Sequence, residues 1–312
     1  MSALRTGARL GYTVLMNSEP PDRPAPSPPL PPVPIDDASA APLVPEPSVF
    51  DLPLRTLRWG DPLRWLALGW RDFRRAPAIG LFYGACFTGM GWLLLVMYQH
   101  APAYTLALSA GFLLVGPILC LGLYDVSRKI ERGEQPDFGD SLTAWDTRTG
   151  TLAMFGGVLL VLELIWGRAS LIVFAVSFDG MPDLKGSLTA LLEPENLAFI
   201  VAYLAVGALF AGLIFAISVV SMPMILDRQT DAITAGLTSL RLCLTQPGVM
   251  LLWGALLTVA VVLALLPWFL GLLVVGPVVG HASWHAYRAA VAPAYTPDSV
   301  CAGGTAAPRG PT

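Results

Sequence analysis

Residues 249–287 read VMLLWGALLTVAVVLALLPWFLGLLVVGPVVGHASWHAY, a run of 39 residues without an Asp, Glu, Lys or Arg. As one helix this run would be roughly 58 Å long, about twice the hydrocarbon thickness of a bilayer. It therefore predicts two membrane crossings, with Pro267-Trp268 near its middle as the place where the chain turns back.

The whole chain agrees with that reading. Of its 312 residues 54% are hydrophobic and only 13% are charged, with a mean hydropathy of +0.62, whereas about a quarter of the residues of a soluble domain are charged. The net charge of −3 supplies no basic field for nucleic acid. Cys86, Cys120, Cys243 and Cys301 lie too far apart for a CxxC redox or metal motif.

Working outward, the fold class expected is an all-α membrane bundle of six spans, at about 78–98, 103–124, 152–176, 197–226, 249–266 and 268–287. Residues 1–54, crowded with proline as in Pro28-Pro29-Leu30-Pro31-Pro32, predict a disordered arm. A membrane domain over 55–290 and a disordered tail over 291–312 follow. Tyr12–Met16 is too short for the apolar core of a signal peptide. Asp61-Pro62 predicts a helix start, and Leu63, Leu66, Trp70 and Phe73 then recur at helical spacing, as in a helix lying in the headgroup layer. Lys and Arg in the short loops number thirteen on the side of Arg132 and one, Lys185, on the other, which predicts cytoplasmic termini.

The pattern repeats. Asp61 precedes Pro77 by the interval that separates Asp231 from Pro247, with Arg71 and Arg241 at matching places. Leu113-Leu114-Val115-Gly116-Pro117 matches Leu273-Val274-Val275-Gly276-Pro277, and Asp140–Trp145 followed by Pro223 supplies a worn third copy. Three hairpins, each preceded by an interfacial helix, are the organisation this predicts. Gly80 and Gly84 form a GxxxG, suited to close packing within the bundle or to a homo-oligomer seam.

Candidate chemistry is sparse. Glu163 falls about eleven residues into the third span, where an acidic group costs on the order of 3 kcal/mol and marks either a polar pathway or a buried hydrogen bond. Arg168 sits about 140° further round the same helix, so the two do not form an i,i+4 pair. Pro117, Pro223 and Pro277 are candidate hinges in the even spans. His281 and His285, one turn apart, are candidate metal ligands, although two imidazoles alone make an incomplete site. Walker A and G-x-S-x-G motifs are absent, no cofactor is implied, and the reading is non-enzymatic. The lipid bilayer is the expected partner. The role is that of a small-molecule or ion carrier or a membrane-organising factor, with a haem- or metal-binding accessory respiratory subunit as the alternative.

Trp70-Arg71-Asp72-Phe73, Arg75–Gly84, Gly111–Pro117, Ser218-Val219-Val220-Ser221 and Gly280–Arg288 resemble a family of uncharacterised bacterial integral membrane proteins, filed as a domain of unknown function. The likeness covers roughly residues 55–290 and implies a bacterial inner-membrane protein. Some relatives are labelled cytochrome c oxidase subunits. A haem-copper catalytic subunit needs many more histidines than the three present here.

Overall fold

A computed structural model describes residues 52–101, 104–177, 197–228 and 230–291. Residues 1–51 of the arm expected over 1–54, the loop carrying Lys185 and residues 292–312 of the expected tail lie outside the described residues. Ten α-helices are found among those described. They are α1 (Asp61–Arg75), α2 (Pro77–His100), α3 (Thr105–Arg132), the five-residue α4 (Phe138–Leu142), α5 (Thr149–Ser177), α6 (Leu197–Ser218), α7 (Ser221–Arg228), α8 (Ala232–Thr245), α9 (Pro247–Leu265) and α10 (Leu272–Ala290). A 3-10 turn, Asp146–Arg148, leads into α5.

Local chemistry explains most boundaries. Asp231 caps α8, its carboxylate accepting the Thr234 N–H at 2.9 Å. Asp61 instead forms the first residue of α1 and accepts the Arg58 N–H at 2.7 Å, leaving Gly60 as the cap. The second expected span stops at 124, but α3 runs on to Arg132. Asp125 pairs with Arg128 and Lys129 one turn on, and these pairs support the extra turns. Gly133 then ends the helix at φ 75°, with the Glu134 N–H returning to the Lys129 carbonyl. The turn expected at Pro267-Trp268 falls between α9 and α10. Trp268 and Phe269 adopt positive φ there, a strained conformation for bulky residues. The Trp92 indole and the Thr88 hydroxyl hold it by donating to the Trp268 and Phe269 carbonyls.

Four of these segments are long and apolar enough to cross a membrane: Pro77–His100, Thr149–Ser177, Leu197–Arg228 and Pro247–Leu265. In the last but one, α6 and α7 count together, although the helix is broken at 219–220. The other two expected spans, in α3 and α10, are helical as read, but their C-terminal halves are polar and pack into protein. α10 buries Pro277, Gly280, His281, Ala282, Trp284, Ala286, Tyr287 and Ala290. By contrast α6 buries no residue and α5 only Leu152 and Phe155. Apolar side chains left uncovered in this way are what lipid would solvate.

Glycines let α1 and α2 reach α10. A Cβ on Gly69 would lie 2.5 Å from the Val278 carbonyl oxygen, and one on Gly84 would overlap the Leu273 carbonyl. The GxxxG therefore serves packing within the chain, since Gly80 meets the Phe73 ring. The buried face of α1 is Pro62, Trp65, Gly69, Asp72 and Phe73, and Trp65 meets Trp253 edge to face at 5.4 Å. Leu63 and Trp70, expected on one apolar stripe with Phe73, are 60% and 45% exposed. The α10-facing side instead takes the tryptophan, the glycine and the carboxylate, because they alone fit the close crossing.

Residues 52–59 form a strap over the C-terminal end of α10. Leu54 bridges Val291, Arg55 N–H donates to the Ala290 carbonyl, and the Gln246 amide bonds both Leu57 N–H and the Arg55 carbonyl. The packed unit thus starts before residue 55 and includes Val291. Gly84→Val should lower stability by about 1–3 kcal/mol through overpacking, read as a lower thermal midpoint in detergent. Gly89→Ala, at a position with open space, should leave the midpoint unchanged or raise it.

Candidate functional site

Glu163 lines a cavity of about 390 Å³ between α2, α3, α5, α6 and α7. Phe87 closes one side, Phe112, Gly116, Pro117, Cys120 and Tyr124 come from α3, and Leu159 and Leu160 share α5 with the carboxyl. Ile214, Ser218 and Met222 complete the wall, and the Ser218 hydroxyl is turned back onto the Ile214 carbonyl at 2.6 Å. A carboxyl in so apolar a wall can accept hydrogen bonds from, or pair with, a cationic group. A second cavity of about 390 Å³ adjoins the first across Pro117, Leu159, Leu160 and Met222.

A proline inside a helix and one helix break frame the cavity. Pro117 lies inside α3 and cannot donate to the carbonyl four residues before it. Pro223 falls in the first turn of α7, directly after the 219–220 break, where no amide donor is required. Pro277 is buried inside α10 and does not line this cavity. Arg168 also stands apart, exposed on α5 with no ion pair to Glu163.

His281 and His285 belong to a different constellation. His285 Nε2 lies 2.7 Å from Asp72 Oδ2, and both side chains are at most 10% exposed. His281 Nδ1 lies 2.8 Å from the Ser127 hydroxyl and 3.1 Å from the Leu123 carbonyl. A carbonyl only accepts, so the Leu123 contact is a hydrogen bond in the tautomer that carries its proton on Nδ1. The His281 Nε2 is buried without a hydrogen-bond partner. Burial alone would raise the Asp72 pKa. The hydrogen bond and charge of His285, with Ser127 and His281, outweigh it and hold the carboxyl below the usual range. Among the described residues no cluster of three or more His, Cys, Asp or Glu side chains is placed to hold a metal ion.

Further along α10, Glu131 takes hydrogen bonds from the Trp284 indole and the Arg288 guanidinium. The Tyr287 hydroxyl donates to Asp227 at 2.7 Å and accepts from Arg228 at 3.0 Å. Asp72, Ser127, Glu131 and Asp227 were not among the candidates read from the sequence. The helical spacing of His281 and His285 was visible there, but their partners lie more than 150 residues away.

Apolar spanning helices around one buried-face carboxyl define a helical integral membrane protein. Residues 105–227 match the model of a family described as "Predicted integral membrane protein (DUF2189)", in agreement with the resemblance read from the sequence. The matched segment contains α3, α5, α6 and α7, and so nearly all of the cavity wall, Glu163 included. Comparison with curated proteins and with solved structures found no match.

The Asp72 pKa direction fixes a pH dependence. A carboxyl depressed on folding stabilises the protein above its ordinary value of 3.8, and that contribution is lost as pH falls through the lower folded value. Asp72→Asn should cost about 2 kcal/mol near neutral pH. It should also flatten the acid limb of a thermal-midpoint against pH curve measured in detergent.

Proposed function

We propose that the protein is a membrane carrier whose ligand is amphipathic. Its apolar body fills the cavity between α3, α5 and α6, and its cationic or hydrogen-bond-donating group meets Glu163. The observation that carries this reading is the single carboxyl in an apolar wall, beside a proline inside α3 and the break between α6 and α7. Such irregular backbone beside a cavity is a feature shared with membrane carriers. A purely structural carboxyl would be expected to have a hydrogen-bond partner, and none is found for Glu163 among the described residues.

The same proposal takes α3 and α10 as the second and sixth of six spans, in three hairpin repeats with both termini in the cytoplasm of a bacterial inner membrane. Two features support the repeats. α1 and α8 end in nearly the same backbone conformation, φ −130°, ψ 60° at Ala76 and φ −134°, ψ 56° at Gln246, and each is followed at once by a proline that starts the next helix. α3 and α10 each carry an internal proline after glycine.

Mass spectrometry of gently extracted protein tests the ligand. A co-purifying small molecule should be retained about tenfold less by Glu163→Gln. An identical bound complement in both proteins would remove Glu163 from the role. Orientation has a separate test. Single cysteines at Lys185→Cys and Arg132→Cys should be labelled from outside and inside the cell respectively, and the reverse pattern would overturn the topology.

A further inference from the structure

A further pocket, of about 330 Å³, lies between the strap, the first turns of α1 and the C-terminal end of α10. Arg55, Arg64 and Arg288 line it, together with Thr56 and His285. One carboxylate, Asp61, faces the same space and accepts the Arg58 N–H. Arg288 is committed to Glu131 and Asp227, but Arg55 and Arg64 form no ion pair among the described residues. The pocket thus holds more positive charge than its own walls neutralise.

Its walls are built rather than fortuitous. The backbone of Arg55 is fixed on both sides, its N–H to the Ala290 carbonyl at 2.9 Å and its carbonyl to the Gln246 amide at 2.9 Å. Arg64 projects from the first turns of α1, whose other face is anchored through Trp65. Trp59 and Leu63 flank this end of α1 and are 67% and 60% exposed. Arginine forks bind phosphate oxygens in pairs, and exposed aromatic and aliphatic side chains beside them suit the headgroup layer.

We propose that this pocket binds a phosphate group, presented either by the headgroup of an acidic phospholipid or by a soluble phosphate ester. The site is separate from the Glu163 cavity and does not depend on the carrier reading. Arg55 and Arg64 are the ligating residues, and Arg288 adds charge while held by Glu131.

The test uses the full-length chain, purified in detergent and stripped of lipid. Native mass spectrometry with equimolar phosphatidylglycerol and phosphatidylcholine reads the lipid arm. Thermal shift with inorganic phosphate or glycerol 3-phosphate, at ionic strength matched by sodium chloride, reads the soluble arm. If a lipid supplies the phosphate, wild type should prefer phosphatidylglycerol, and the preference should fall about fivefold for each arginine removed, in Arg64→Gln and then in the Arg55→Gln, Arg64→Gln pair. If a soluble ester supplies it, phosphate should raise the wild-type midpoint and leave that of the pair unchanged. Arg74→Gln with Arg75→Gln, on the same helix outside the pocket, should behave as wild type in both arms. Equal losses in the two double variants, or no phosphate or phosphatidylglycerol preference in wild type, would overturn the proposal. Arg64→Gln alone alters an exposed side chain and keeps the test valid should the pair fold poorly.

Discussion

The arrangement rests on a carboxylate that has been taken out of water. Asp72 is fully buried, and its 2.7 Å contact with His285 is what makes that burial tolerable. The pair fixes α1 on α10 at the crossing that Gly69 permits. Once that crossing is set, the polar side chains of α10 each meet a partner. His281 faces Ser127, Trp284 and Arg288 meet Glu131, and Tyr287 meets Asp227. A helix carrying two histidines, a tyrosine and an arginine can thus bury much of its surface in protein.

Away from this polar end the physics changes. α5 and α6 present leucine, isoleucine and valine outward, and hardly any of their residues are buried. Between such helices lipid is as good a solvent as another side chain, so nothing forces close packing. The break at 219–220 and the proline in α3 add irregularity at the same level. A cavity with Glu163 in its wall is the consequence. Specific hydrogen bonds secure one end of the molecule, while the other leaves room for a ligand.

The stretches on which the family resemblance rests fall on these same features. Trp70-Arg71-Asp72-Phe73 and Gly280–Arg288 hold the buried pair and most of its neighbours. Ser218-Val219-Val220-Ser221 is the helix break, where Ser239 donates to the Ala216 carbonyl and Ser221 reaches the Ala235 carbonyl of α8. The segment matched by the family model contains the cavity wall except for Phe87, whereas α1 and α10 lie outside it.

Composition and periodicity alone determined the helical membrane class, the turn at Pro267-Trp268 and the helix start at Asp61-Pro62. Each of those depends on neighbours within one or two helical turns, or on the length of an apolar run against the thickness of a bilayer. Only the tertiary structure paired His285 with Asp72 and His281 with Ser127, turned Leu63 and Trp70 outward, and folded residues 52–54 against Val291. It also gathered Arg55, Arg64 and Arg288 around one pocket. Such pairings join residues far apart in the chain, and the choice among them is made by which glycines admit a close helix crossing, a property of packed surfaces that no local pattern carries.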